Sequence, residues 1–187
     1  MFLCFSVKLK FFEIVFMSDQ ELLYVLALLR VEGVGDIMAK KLLANFGNAE
    51  EIFKAKSSQI AAVDGVGAVL LKNLKDKTIF EKANRELEFI QSNDIKASFF
   101  QDESYPVRLK HCFDAPVMLF TAGNIDLKHK KVISIVGTRQ ITSYGTEFCK
   151  KLIEDLAPVD PVIVSGFAYG VDIVAHQLAM EHGLQTI

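Results

Sequence analysis

A chain of 187 residues, 51% apolar and 24% charged, has room for one ordinary domain or for a small domain plus part of a larger one. The mix excludes a disordered chain and fits a soluble globular protein with a real core. A formal net charge of −2 excludes an overall basic field, so any nucleic-acid site must be a local patch.

Residues 1–16, MFLCFSVKLKFFEIVF, are broken by Lys8, Lys10 and Glu13 and are too short to span a bilayer. They also lack the order of a signal peptide. Met17-Ser18-Asp19 reads as a fresh start, with Ser18 or Asp19 placed to cap a helix, and residues 1–16 are expected to be a spurious or disordered extension. No membrane association follows. Cys4, Cys112 and Cys149 form no CxxC pair and no disulfide framework, which fits a reducing cytoplasm and gives no reason to expect a metal or another cofactor.

Residues 19–30 have apolar positions at helical spacing and end at Val31-Glu32-Gly33-Val34-Gly35. A second helix is expected over Asp36–Phe46, stopped by Gly47. A short one follows Asn48. After Ser57-Ser58 comes Val63-Asp64-Gly65-Val66-Gly67, and then a helix from Ala68. V-E-G-V-G thus returns as V-D-G-V-G after 32 residues, a weak repeat of helix, glycine hairpin and helix. A long amphipathic helix over 78–92 closes a helical domain expected to span 17–93.

Beyond residue 93 the texture changes. Strands are expected at 97–101 and 117–121, with extended backbone before Pro106 and Pro116. Residues 131–136, KVISIV, suit a buried parallel strand ending at Gly137. A helix over 147–156, a strand over 161–164 ending at Ser165-Gly166, a helix over 171–182 and a strand start at 185–187 complete a β-α-β-α-β alternation. That alternation is the mark of a doubly wound sheet. The expected fold is therefore α/β: an incomplete Rossmann-like parallel sheet preceded by a small all-α helix-hairpin-helix or SAM-like domain. Two strands and a stub cannot cover both faces of such a sheet, so 94–187 is expected to be its N-terminal portion.

Glycine hairpins between helices can present free N–H groups to phosphate. Gly33, Gly35, Gly65 and Gly67, with Lys40, Lys41, Lys72, Lys75 and Lys77 behind them, are candidate backbone contacts. Against this, glycine is the usual turn residue, and Asp36 and Asp64 would repel phosphate.

The sharper signals lie at the strand ends, where open α/β sheets bind ligands. In Val136-Gly137-Thr138-Arg139 the glycine lets the chain turn off the strand. Arg139 then offers a planar, permanently charged fork suited to phosphate, or else forms a surface salt bridge. Thr138, Thr142 and Ser143 supply hydroxyls. In Ser165-Gly166-Phe167-Ala168-Tyr169-Gly170 two glycines frame a loop whose N–H groups can converge on an anion. Phe167 or Tyr169 can stack on a base or pack to pin the loop. Asp172 and His176 share a helix face; two such groups do not complete a metal shell, and a local hydrogen bond that orders the loop is the better reading. No G-x-G-x-x-G, Walker A loop or G-x-S-x-G elbow is present.

V-G-T-R at 136–139 with Tyr144-Gly145, and S-G-F-A-Y-G-V-D-x-x-A-H at 165–176, resemble the DprA/Smf (DNA-processing protein A) family. Tyr105-Pro106-x-x-Leu109 and Asp114-x-Pro116-x-x-Leu119-Phe120 match it in order and spacing. The resemblance implies a helical N-terminal domain and a Rossmann-like fold. It implies single-stranded-DNA binding in DNA uptake and natural transformation, transfer of that DNA to a RecA-type recombinase, homodimerisation of the full-length protein, and no enzymatic activity. It assigns Arg139 to the DNA pocket, and Gly137, Thr138, Ser165, Gly166 and Gly170 to phosphate-facing loops. The alternatives are a nucleotide or nucleoside-phosphate hydrolase on a related fold, whose catalytic acid would lie beyond residue 187, and a nucleotide-sensing module.

Overall fold

Residues 17–124 and 131–187 are described by the computed structural model, so the expectations for residues 1–16 and for Cys4 lie outside the described residues. Contacts divide the chain into two units, Met1–Ala122 and Gly123–Ile187.

In the first unit Ser18 opens α1 (Asp19–Leu29). Its Oγ accepts the Glu21 N–H at 3.2 Å, and the Glu21 carboxylate accepts the Ser18 N–H at 2.8 Å. This reciprocal box satisfies two donors that a helix start otherwise leaves free. α2 (Asp36–Phe46) is bracketed by Gly35 and by Gly47, whose φ of +86° lets its N–H close on the Leu43 carbonyl. α3 (Ala49–Lys54) is capped by the Asn48 side chain, and α5 (Ala68–Asn73) and α6 (Thr78–Ser92) follow. Between α3 and α5 lies α4 (Ser57–Ala61), a single turn with no apolar period to announce it. Leu26, Leu28, Leu42 and Ile52 lie fully buried among these helices, and the rings of Tyr24, Phe53 and Phe80 meet at centroid distances of 4.9–6.1 Å.

The sequence repeat is a repeat of conformation. Val34 donates to the Val31 carbonyl at 3.0 Å and Val66 to the Val63 carbonyl at 3.1 Å. The intervening Gly33 and Gly65 have φ of +90° and +88°, a region that side chains with a Cβ disfavour. Gly35 and Gly67 then start α2 and α5 in the same extended conformation.

The first unit continues past the boundary expected at residue 93. β1 (Lys96–Phe99) pairs antiparallel with β2 (Met118–Thr121), Lys96 opposite Thr121 and Phe99 opposite Met118. Phe99, Val117 and Met118 join the core of the helices. Between the strands Pro106 starts the single turn α7 (Val107–Lys110). Tyr105 is fully buried, and its hydroxyl donates to the Pro116 carbonyl at 2.7 Å, so the two proline segments are tied together.

In the second unit β3 (Val132–Ser134) and β4 (Val162–Val164) pair in parallel, Ile133 opposite Ile163. Ile163 also bridges in parallel to Thr186. Three successive strand positions therefore lie side by side in chain order, the winding expected for one half of a Rossmann-like sheet. α8 (Ser143–Leu156) and α9 (Val171–Glu181) make the crossovers. Ile153, Ile163, Ala175 and Ala179 are fully buried in a core shared by these helices and the strands. α8 begins before the expected Glu147 because the Thr142 hydroxyl caps it, accepting the Gly145 N–H at 3.1 Å.

Candidate nucleic-acid interface

Ser165 joins the three strands at the point where β4 ends. Its N–H donates to the Ile187 carbonyl at 2.9 Å and its hydroxyl to the Ile135 carbonyl at 2.6 Å. Both neighbouring strands are thereby fixed to the start of the loop 165–170. Ile135, in turn, donates to the Val164 carbonyl at 2.9 Å just before the turn 137–142.

The two turns are packed against one another, and Gly170 and Gly137 make this approach feasible. A Cβ at Gly170 (φ +90°) would lie on the Thr138 carbonyl oxygen and 2.6 Å from the Arg139 carbonyl carbon. One at Gly137 would sit 2.6 Å from a Val171 methyl, and one at Gly166 2.8 Å from an Asp172 carboxylate oxygen. The Val171 N–H donates to the Thr138 carbonyl at 3.1 Å, stitching the turns together.

The N–H groups of Gly137, Thr138 and Arg139 in one turn, and of Gly166, Phe167, Tyr169 and Gly170 in the other, have no protein acceptor among the described residues. Gln140 N–H is taken by the Thr138 hydroxyl at 3.2 Å, and Ala168 N–H by the buried Asp172 carboxylate at 3.3 Å. Unpaired N–H groups in successive turns are donors that can favour an anion. Arg139 is exposed and pairs with no carboxylate among the described residues. Ser143 is exposed at the first residue of α8.

Two exposed aromatic side chains belong to the second turn itself. Phe167 is 78% exposed and Tyr169 85% exposed. Phe167 also holds a left-handed backbone, φ +63°, which costs a residue with a Cβ about 1–2 kcal/mol. Tyr144 and Phe148, exposed four residues apart on α8, were not among the residues that the sequence singled out for DNA binding. Their signal was an aromatic pair at helical spacing in an otherwise polar stretch.

Asp172 and His176 serve different partners. Asp172 takes the Ala168 N–H within the loop. His176, buried on the next turn of α9, meets the Thr186 hydroxyl with Nδ1 at 2.6 Å. Among the described residues no group of three or more His, Cys, Asp or Glu side chains converges as a metal shell would require.

The hairpins are placed differently. In front of the first, the Asp36 carboxylate accepts the Val117 N–H at 2.7 Å and Lys40 Nζ donates to the Ala115 carbonyl at 2.5 Å. Lys41 bridges to Asp64 of the second hairpin at 2.8 Å, which holds the Asp64 carboxyl below its ordinary pKa. Lys40 and Lys41 are thus engaged within the unit, while Lys72, Lys75 and Lys77 are exposed. Gly33, Gly35 and Gly67 have open space where a Cβ would stand, whereas Gly65 packs against Met38.

Comparison with known proteins gives a family match over just under half of this chain and a second over its helices. Residues 96–187 match the family described as DNA recombination-mediator protein A, and residues 25–77 the SAM-like helix-hairpin-helix tandem. Protein Smf of Synechocystis sp. is 29% identical over 91% of this chain and 44% of its own length. DNA processing protein DprA of Streptococcus pneumoniae is 41% identical over 46% of this chain and 30% of its own. The X-ray structure of DprA from Streptococcus pneumoniae superposes with a TM-score of 0.62 at 27% identity, covering 91% of this chain and 56% of that one. The chain spans less than half the length of the two curated relatives.

Proposed function

We propose, from the premise that the chain belongs to the DprA/Smf family over residues 96–187, that it contributes a single-stranded-DNA site to a recombination mediator. The observation that carries this reading is the pair of hydrogen-bonded turns with unpaired N–H groups, which also carry the exposed guanidinium of Arg139 and the exposed rings of Phe167 and Tyr169. Backbone donors and Arg139 would hold phosphates without reading sequence. The rings would stack on unpaired bases, a contact open to any base because every base has a π-face.

In this reading Gly137, Thr138, Arg139, Ser143, Gly166, Phe167, Tyr169 and Gly170 face the DNA, Ser165 and Ala168 shape the loop with their donors engaged inside the protein, and Asp172 and His176 order it. The turn residues are largely exposed, which suits a polymer lying across them better than a mononucleotide enclosed for hydrolysis. In this reading the protein performs no chemistry and acts in the cytoplasm. Delivery of the DNA to a RecA-type recombinase, and dimerisation, belong to the same proposal and rest on family resemblance. Gly33, Gly35, Gly65 and Gly67 frame the helical module; the exposed lysines behind the second hairpin would add at most a weak phosphate contact.

Fluorescence anisotropy with labelled oligo-dT and with a duplex of equal length tests the proposal. It expects preference for the single strand and weak competition by nucleoside triphosphates. Equal binding to duplex, or tighter binding of the mononucleotide, would count for the alternatives.

A further inference from the structure

His176 is buried and uses only one of its two ring nitrogens among the described residues. The Thr186 hydroxyl has a single proton, which it donates to the Ile163 carbonyl at 3.0 Å. Thr186 Oγ must therefore accept at its other contact, so His176 Nδ1 carries the proton there, at 2.6 Å. His176 Nε2 has no hydrogen-bond partner among the described residues. A buried polar atom without a partner is costly, and packing alone would favour an apolar residue at this position. What His176 gains in exchange is a fixed ring orientation, and its ring lies against Phe167, centroids 5.6 Å apart and planes at 57°.

Phe167 needs such support. It is largely exposed, sits in a left-handed conformation and lies in a turn with unpaired neighbouring N–H groups. A chain of contacts thus runs from the third strand position, through Thr186 and His176, to the exposed ring at the candidate interface. Ser165 runs parallel to it, tying the same loop to Ile187.

We propose that His176 is a positioning residue for single-stranded DNA: held by Thr186, it fixes the Phe167 ring in the pose that stacks on a base. The assignment rests on the DNA-binding reading given above and adds that the third strand presets the loop before DNA arrives.

Two substitutions separate the parts of the relay. His176→Asn keeps a donor near the Nδ1 position and removes the ring; Thr186→Val keeps the shape and removes the acceptor. Oligo-dT affinity is measured for each, for Phe167→Ala and for the Phe167→Ala/His176→Asn pair, with thermal unfolding as the check on folding. Phe167→Ala is expected to weaken binding about tenfold, the worth of one stacked base. His176→Asn and Thr186→Val are expected to lose a large part of the same factor. The double variant should bind no more weakly than Phe167→Ala alone, because residues acting through one another are not additive.

Affinity reductions that multiply, or a His176→Asn protein that binds like the parent, would overturn the relay. If His176→Asn fails to fold, the parent chain still decides the matter by NMR. The His176 ring protons should shift when oligo-dT is added and should not shift in Phe167→Ala; no shift in the parent would overturn the relay. Arg139→Ala separates the two levels: if it weakens binding while the cycle multiplies, only the relay fails. If it and every other variant bind like the parent, the DNA-binding reading fails and the relay with it.

Discussion

The Val171 N–H donates to the Thr138 carbonyl at 3.1 Å, so the turn after the first parallel strand and the turn after the second are bonded to one another. Gly170, one residue before, has φ +90° and lies directly beneath the Thr138–Arg139 peptide. The two turns, each with N–H groups that have no protein acceptor among the described residues, are thereby held side by side.

Gly170→Ala should break this arrangement. The added methyl meets backbone, which cannot rotate away, and the left-handed conformation adds strain. A loss of about 2–4 kcal/mol is expected, read by urea unfolding of the purified chain, with weakened oligo-dT binding in whatever remains folded. A variant as stable as the parent would show that the turns do not pack in this way.

Tyr105→Phe tests the closure of the first unit. It deletes the hydroxyl that donates to the Pro116 carbonyl at 2.7 Å and leaves that acceptor without its partner. Burial and the nearby Asp36 charge also raise the Tyr105 pKa, so the donating protonated form persists through neutral pH. A loss of about 1–2 kcal/mol is expected, read as a lower urea midpoint with unchanged slope.

The capping box of α1 predicts an acid limb. Hydrogen bonds from Ser18 hold the Glu21 carboxyl below its ordinary value of 4.5. A depressed carboxylate stabilises the fold at pH above the unfolded value and loses that contribution as pH falls below about 4.5. Ser18→Ala should cost about 1 kcal/mol at neutral pH, and Glu21→Gln should flatten the decline below pH 4.5. Thermal unfolding as a function of pH reads both, and parallel curves for parent and Glu21→Gln would contradict the assignment.

How far these features were legible in the sequence depends on how local their causes are. Asp36–Phe46 was legible residue for residue because Gly35 and Gly47 bracket a periodic run. The repeat of the hairpins was legible because the same five-residue pattern demands the same positive φ at Gly33 and Gly65. The start of α8 was misplaced because Thr142-Ser143-Tyr144-Gly145 reads as a loop until Thr142 is seen capping Gly145. α4 and α7 are single turns without a period to detect. The compact unit reaches Ala122 because Phe99, Val117 and Met118 are buried by helices far away in sequence, whereas the family match starts at residue 96, close to the texture change at residue 93.

At the interface the sequence showed which residues lie in the two turns, and not what binds them together. Ser165 was visible as the end of a strand; its bonds to Ile135 and Ile187 depend on strand order. Asp172 and His176 were legible as neighbours on a helix face. That one turns to Ala168 and the other to Thr186 depends on a loop and a strand that helical spacing says nothing about.

Arg139, an exposed cation with no carboxylate partner among the described residues, stands at the centre of the DNA-binding reading. Its direct test is the salt dependence of oligo-dT binding by the parent chain and by Arg139→Ala. Removing the guanidinium should take away one phosphate neighbour, weaken binding at every salt concentration and lower the slope of log K against log salt by about 0.7 for a single strand. Equal affinities and equal slopes for the two proteins would contradict the reading.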